Sequence, residues 1–201
     1  MGKFIAVEGL PGSYKTTIVR NLKQDVPSLY ALEEVLGCTI PPIFTDSLNI
    51  LMRDVWHLLG NIKQSLIGRE LTKKGYNVIS DRYILSTLAF SYAVEKYYGV
   101  NCFNNLLNLY EEARKFDLLT QPDLVLYISV TPDESIKRQV ARDGEKIRTH
   151  CYGNKNFLIY WKEYIENYLE NSNLRSYKIN GMRRFEQVYK DVLDILQAEV
   201  F

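Results

Sequence analysis

Short apolar runs alternate with longer amphipathic stretches along the whole chain. Phe4-Ile5-Ala6-Val7 is continuously apolar, the pattern of a strand covered on both faces, and Lys3–Glu8 reads as that strand. Ser28–Glu33, Tyr76–Ser80, Leu124–Val130 and Arg175–Ile179 also read as strands, Leu124–Val130 with a run almost as apolar. Helical spacing fills the intervals: Thr16–Lys23, Ser47–Lys74, Ser86–Tyr98, Phe103–Phe116, a stretch to Arg142, Phe157–Leu169 and Arg184–Ala198. The longest carries Leu48, Leu51, Val55, Leu58, Leu59, Ile62, Leu66 and Leu71, with Gly60 and Gly68 as candidate bends. Lys73-Lys74-Gly75 is a helix stop. Thr131-Pro132-Asp133-Glu134 is a helix start: threonine caps, proline takes the first turn and glutamate returns to the cap. Cys38–Phe44, with Pro41-Pro42, reads as a loop.

Five strands alternating with helices predict a three-layer α/β/α fold around a five-stranded parallel sheet. No repeat or linker divides residues 1–201, so one domain is expected, with the polar stretch 143–156 as an inserted segment. Ligands of such sheets bind beyond the carboxyl ends of the strands, and Glu8, Asp81 and Val130 all lie there.

Composition adds exclusions. Apolar residues make up 46 % and charged residues 24 %, with net charge +1, so nothing points to nucleic acid or a membrane as partner. No apolar run approaches the ~18 residues of a spanning helix. Met1-Gly2-Lys3 runs straight into the first strand and does not read as a signal peptide. Cys38, Cys102 and Cys151 have no metal-ligand spacing and suit reduced thiols in a cytoplasmic protein. His57 and His150 are too few for a histidine metal site.

Glu8 to Thr17, EGLPGSYKTT, nearly spells a phosphate-binding loop. The pattern is Gly, four residues, Gly, Lys, Ser or Thr. Gly9, Lys15 and Thr16 fit; the second glycine is Tyr14. Main-chain amides from Gly12 through Ser13, Tyr14 and Lys15 to Thr17 would wrap the phosphates of ATP, with the helix N-terminus adding a favourable dipole. Lys15 would reach the outer phosphates and Thr16 would ligate Mg²⁺. Three conformations are open to Tyr14: a strained left-handed turn, ordinary helical geometry with the ring over the loop, or a ring that blocks the phosphate path.

A second motif, Val78–Ala93, VISDRYILSTLAFSYA, places Asp-Arg-Tyr at a strand end, then a serine, then Ala-Phe. Together the two closely resemble the thymidylate kinases, in which an FIxxEGxxGxGKTT loop precedes an Asp-Arg-Tyr/His segment with serine and Ala-Tyr/Phe at these spacings. Asp123–Tyr127, the basic KRQVARDGEKIR stretch Lys137–Arg148, and Ile179-Asn180-Gly181 before an EQV helix extend the resemblance over nearly the whole chain. It implies a P-loop nucleotide-kinase fold and transfer of the γ-phosphoryl group of ATP, with Mg²⁺, to a deoxynucleoside monophosphate, dTMP foremost. By the same resemblance Arg82 grips the acceptor phosphate and Asp81 orients Mg²⁺ through water. Phe90 stands beside the acceptor sugar, Thr87 near the base edge, and Trp56 at the distance of the aromatic that stacks on the base. Ser86 and Glu8 fall on the acceptor side, and Arg138 near adenine. Arg142, Lys146 and Arg148 form a basic lid over the transferring group, and a homodimer through the Ser86–Phe116 helices is implied. Each role has a plainer rival: Arg82 as a structural partner of Asp81, Trp56 or Phe90 as core, the lid cations as a solvated face.

The sequence departs from the family at four places. Tyr14 replaces a glycine, Pro11 an aspartate, and Asn61 stands near the position of a second phosphate-gripping arginine. The Arg-Glu-Pro-Gly segment is missing, Glu33-Glu34-Val35 being nearest. Two alternatives follow. One is a deoxynucleoside or other small-molecule kinase using Glu8 or Glu33 as base. The other is a degenerate nucleotide-binding protein without transfer activity.

Overall fold

The computed structural model describes residues 1–33 and 47–201, without the side chains of residues 47–49 and 51. The predicted loop Cys38–Phe44, with Glu34 and Val35, lies outside the described residues. Five strands form one parallel sheet in the order β2-β3-β1-β4-β5: β1 Phe4–Glu8, β2 Leu29–Leu32, β3 Asn77–Asp81, β4 Leu124–Ser129 and β5 Ser176–Asn180. The described helices are α1 Lys15–Asp25, α2 Ser47–Lys73, α3 Ile84–Tyr98, α4 Phe103–Lys115, α5 Pro132–Asp143, α6 Lys155–Asn171 and α7 Phe185–Glu199. Two short 3-10 turns, Glu145–Thr149 and Cys151–Gly153, occupy the polar stretch between α5 and α6.

The continuous apolar strands split by period two into two cores. Ile5 and Val7 of β1 and Leu126 and Ile128 of β4 pack with Ile18, Val19 and Leu22 of α1 and Val188, Val192 and Leu196 of α7. Phe4 and Ala6 face the other way, toward Leu58 of α2, Leu88 of α3 and Leu106 of α4. A third cluster joins Tyr127 and Val130 to α3 and α6 through Phe90, Phe157 and Trp161.

Two local readings change. Gly60 and Gly68 neither break nor end α2, which runs unbroken to Lys73. Gly68 serves close packing instead: a Cβ there would stand 3.1 Å from the Phe4 ring. At α5, Thr131 caps through its hydroxyl, which accepts from the Glu134 amide at 3.2 Å, and Pro132 opens the helix. The Glu134 carboxylate does not return to the cap; it accepts from Arg138 Nε at 2.8 Å, one turn on.

β1 is central, with β3 on one side and β4 on the other, and Val7 is paired with Asp81 and Glu8 with Tyr127. The chain leaves β1 toward one edge and later crosses to the other, so a crevice opens at the carboxyl ends of these three strands. The glycine loop, Asp81-Arg82 and the start of α5 meet in it.

Candidate active site

The loop leaves β1 through Gly9, whose φ is 147° and where a Cβ would stand 2.5 Å from the Ile128 carbonyl oxygen. It turns left-handed at Gly12 (φ 73°) and again at Tyr14 (φ 71°), and α1 begins at Lys15. Tyr14 therefore takes the strained conformation of the three, at a position where a Cβ costs roughly 1–2 kcal/mol. Its ring is directed to α5 and α7. The Arg138 guanidinium carbon lies 4.2 Å from the ring centroid, and the Phe185 ring meets it edge-on at 5.5 Å. Arg138 is itself fixed: Nη1 donates to Gly12 O at 3.3 Å and Nη2 to Gly181 O at 2.9 Å. Pro11 is held by its carbonyl, which accepts from Ser135 Oγ at 2.7 Å.

Lys15 is buried and curls over the loop, donating to Leu10 O at 2.6 Å and Ser13 Oγ at 3.1 Å. Pro11 to Thr17 line a cleft of about 770 Å³, closed on the far side by Arg138 and Arg142 of α5 and by His150 and Tyr152. Its volume suits a nucleotide. Beside Lys15, Thr16 Oγ1 donates to Asp81 Oδ2 at 2.5 Å. Asp81 is buried and its Oδ1 has no hydrogen-bond partner. An orphaned carboxylate oxygen next to a hydroxyl fits a hard cation that arrives with phosphate oxygens, as Mg²⁺ does.

On the other side of Arg82 lies a second pocket, lined by α2 and α3 and by Tyr152 and Trp161. Arg82 has φ 61°, a left-handed backbone that turns its side chain back across the strand ends. Its Nη1 donates to Gly9 O at 3.1 Å and to Ser86 Oγ at 3.2 Å. Arg82 and Tyr152 line both spaces, so the cleft and the pocket adjoin at them. Thr87 and Phe90 lie in the pocket wall. Thr87 Oγ1 donates to Asn61 Oδ1 at 2.8 Å, and Asn61 Nδ2 to Gln64 Oε1 at 3.2 Å. Phe90 sits between the Arg53 guanidinium, 4.4 Å from its centroid, and the Tyr152 and Trp161 rings at 5.8 and 5.2 Å. The pocket holds about 50 Å³ of free space. A nucleoside needs several times that volume.

Four predicted site residues stand elsewhere. Trp56 is 42 % exposed on the outer face of α2, and the pocket receives His57 in its place. One residue on a helix turns the side chain by about 100°. Burial, helped by the Arg53 and Arg82 charges, depresses the His57 pKa to about 4, so the imidazole is neutral at pH 7. Glu8 is fully buried behind the loop, outside the acceptor pocket. Its carboxylate accepts from the Tyr83 amide at 3.0 Å, the Ser86 amide at 3.4 Å and the Ser86 hydroxyl, and so caps α3, whose own N-cap residue offers no side-chain cap. Burial raises its pKa to about 7 against the opposing Ser86 hydroxyl and the Arg82 and Lys15 charges. Lys146 and Arg148 are exposed on the 3-10 turn, Arg148 paired with Glu145, and neither lines the cleft. Of the lid cations, Arg142 reaches it, while also pairing with Asp143.

Gln64, Tyr152, Trp161 and Gln139 were not foreseen. Gln64 lies one turn from Asn61, itself noted for its place in the family pattern, and that spacing was the available signal.

A phosphate-binding loop opening into one cleft, and an adjoining pocket reached through a shared arginine, place the chain among the P-loop kinases of nucleosides and nucleotides. Comparison with known proteins narrows the class. The thymidylate kinase profile matches residues 7–192, and the chain belongs to that family. It is 27 % identical to a probable thymidylate kinase of Pyrobaculum aerophilum, over 98 % of this chain and 97 % of the relative. It is 31 % identical to the thymidylate kinase of Mesoplasma florum, over 76 % of this chain and 75 % of the relative. Among solved structures, deoxyadenosine kinase from M. mycoides with bound dATP superposes with a TM-score of 0.77 at 17 % identity, covering 96 % of this chain and 98 % of that one. At that identity the likeness is one of fold.

Proposed function

We propose that the protein transfers the γ-phosphoryl group of ATP to dTMP, giving dTDP and ADP. The observation that carries this reading is the position of Arg82, in the wall of both the donor cleft and the acceptor pocket. A phosphate oxygen of the acceptor forms the new bond to the γ-phosphorus as the bond to the β–γ bridging oxygen breaks and ADP leaves. The attacking oxygen is already anionic, so no strong base is required, and catalysis is alignment plus neutralisation of charge. Lys15 and the amides of residues 12–17 bind the donor phosphates, and Arg82 holds the acceptor phosphate in line. Arg142 adds charge from the lid side. When bound with ATP, Mg²⁺ neutralises the phosphate oxygens; Thr16 and, through water, Asp81 would hold it. Glu8, engaged under α3, is not placed as a base for a nucleoside hydroxyl, which speaks against an unphosphorylated acceptor.

The working form in this reading is a cytoplasmic homodimer. Its interface is the outer face of α2, where Met52, Trp56, Leu59, Leu66 and Ile67 form an exposed apolar stripe, and not α3, most of which is buried.

ADP release from Mg-ATP across a panel of nucleosides and nucleoside monophosphates tests the reading. Turnover should depend on dTMP and be absent with thymidine. Arg82→Ala should lower kcat/KM for dTMP by at least ~100-fold, the scale of a lost charge-stabilising group. Thymidine-dependent turnover, or ATP binding that no acceptor stimulates, would overturn it.

A further inference from the structure

We infer that the indole N–H of Trp161 binds the acceptor, donating a hydrogen bond to a phosphate oxygen of the nucleoside monophosphate beside Arg82. The inference rests on the reading of the acceptor as a monophosphate and adds a residue to it.

Trp161 lies on α6 in the wall of the acceptor pocket and is 3 % exposed. Its Nε1 is the one buried side-chain donor among the described residues without a hydrogen-bond partner. Indole nitrogen only donates, so the missing partner is an acceptor atom. Leaving such a donor buried and unpaired is costly, and native proteins rarely do so without a ligand or water to complete it. Phe90, Tyr152 and Phe157 surround the ring at 5.2, 5.7 and 6.1 Å between centroids.

The nature of the partner follows from what stands next to the indole. The Arg82 guanidinium carbon is 5.4 Å from the ring centroid. Among the residues lining the pocket, Arg82 is the one guanidinium or ammonium group, His57 being neutral. A phosphate monoester carries up to two negative charges and offers three terminal oxygens, more than one arginine fork can satisfy. The neighbouring amides do not make up the difference, since Asn61 is engaged with Thr87 and Gln64. An anionic oxygen next to Arg82 therefore has both a need for another donor and Trp161 at hand.

The chain has two tryptophans, so a ¹H–¹⁵N correlation spectrum shows two indole signals, assigned with Trp56→Phe. On addition of dTMP the Trp161 signal should move downfield, and thymidine should not reproduce the shift. Trp161→Phe, which keeps an aromatic ring and removes the donor, should raise KM for dTMP about 10- to 100-fold, the range of a hydrogen bond to a charged group. KM for ATP should change less than about twofold. An indole signal unmoved by saturating dTMP, as for an N–H resting on a neighbouring ring face, overturns the inference while dTMP turnover keeps the kinase reading intact. An equal shift with thymidine overturns it too, because the contact is then not to phosphate. If dTMP neither binds nor is phosphorylated, the kinase reading itself falls and takes this inference with it. Should the phenylalanine variant not fold, the titration of the wild-type protein decides alone.

Discussion

At Tyr14 two effects of similar size oppose one another. A left-handed φ of 71° costs a residue with a Cβ roughly 1–2 kcal/mol, while the ring's contacts with Arg138 and Phe185 return about 1 kcal/mol each. Tyr14→Gly removes both and should leave stability within about 1 kcal/mol of wild type. Tyr14→Ala keeps the strain and loses the ring, so it should be the less stable variant by about 1 kcal/mol or more. Urea denaturation midpoints check the order. Because the ring points to α5 and α7, Tyr14→Gly should gain no more than a few-fold in kcat; a gain of ~100-fold would show that the ring obstructs turnover. Glu8 and His57 oppose each other in the same way, across pH. The native Glu8 carboxyl titrates near 7 against 4.5 unfolded, so the native state holds the extra proton and stability falls as pH rises from 4.5 to 7. His57 titrates near 4 against 6.5 unfolded, so the unfolded state holds the extra proton and stability rises from pH 4 to 6.5. Each contribution is on the order of 3 kcal/mol, and the two oppose one another between pH 4.5 and 6.5. Glu8→Gln should unmask the rise and His57→Gln the fall, read from denaturation at a series of pH values.

The elements show where sequence reasoning reached and where it stopped. The central strands β1 and β4 were legible because both their faces are covered and their apolar runs are continuous, as Phe4–Val7 shows. The glycine loop and Asp81-Arg82 were legible because their chemistry is local to a few residues. The inward face of α2 was not. Its buried positions include Asp54, Asn61, Gln64 and Ser65, of which Asn61 and Gln64 line the second pocket, while Leu59 and Leu66 are exposed. Apolar periodicity therefore did not mark the inward face, and the family spacing that pointed to Trp56 falls one residue short of His57, which lines the pocket. Glu8 was misread for a related reason: the groups it caps, the Tyr83 and Ser86 amides, lie more than seventy residues away in sequence. In the dimer proposed above, the contact is the exposed apolar face of α2. Met52 to Ile67 spans about 22 Å of helix at 1.5 Å per residue. Leu59, 56 % exposed, lies in that stripe. Leu59→Glu would place a charge in a desolvated contact and should convert the dimer to monomer in sedimentation velocity, with the thermal midpoint of the isolated chain within a few degrees. A protein already monomeric at micromolar concentration, or a variant that stays dimeric, would remove α2 as the interface.

For the whole molecule the question is how a loop on β1, a helix after β4 and a lid segment come to act as one site. Gln139 of α5 supplies a physical link. Its side-chain amide donates to Ser135 Oγ at 3.2 Å and to the Tyr152 carbonyl at 3.1 Å, and Ser135 Oγ donates to Pro11 O. The donor loop, α5 and the residue shared by cleft and pocket are thus tied through one buried side chain. Its Oε1 has no hydrogen-bond partner, so the network is not fully satisfied. Gln139→Leu keeps the volume and removes the amide. Losing these hydrogen bonds should lower stability by about 1–2 kcal/mol. If the amide merely fills the core, stability alone should change. If it couples donor loop and lid, KM for ATP and KM for dTMP should rise together by several-fold, while a surface variant such as Lys137→Ala leaves both unchanged. A rise in one constant without the other would separate the two spaces, and Tyr152 would then belong to each independently.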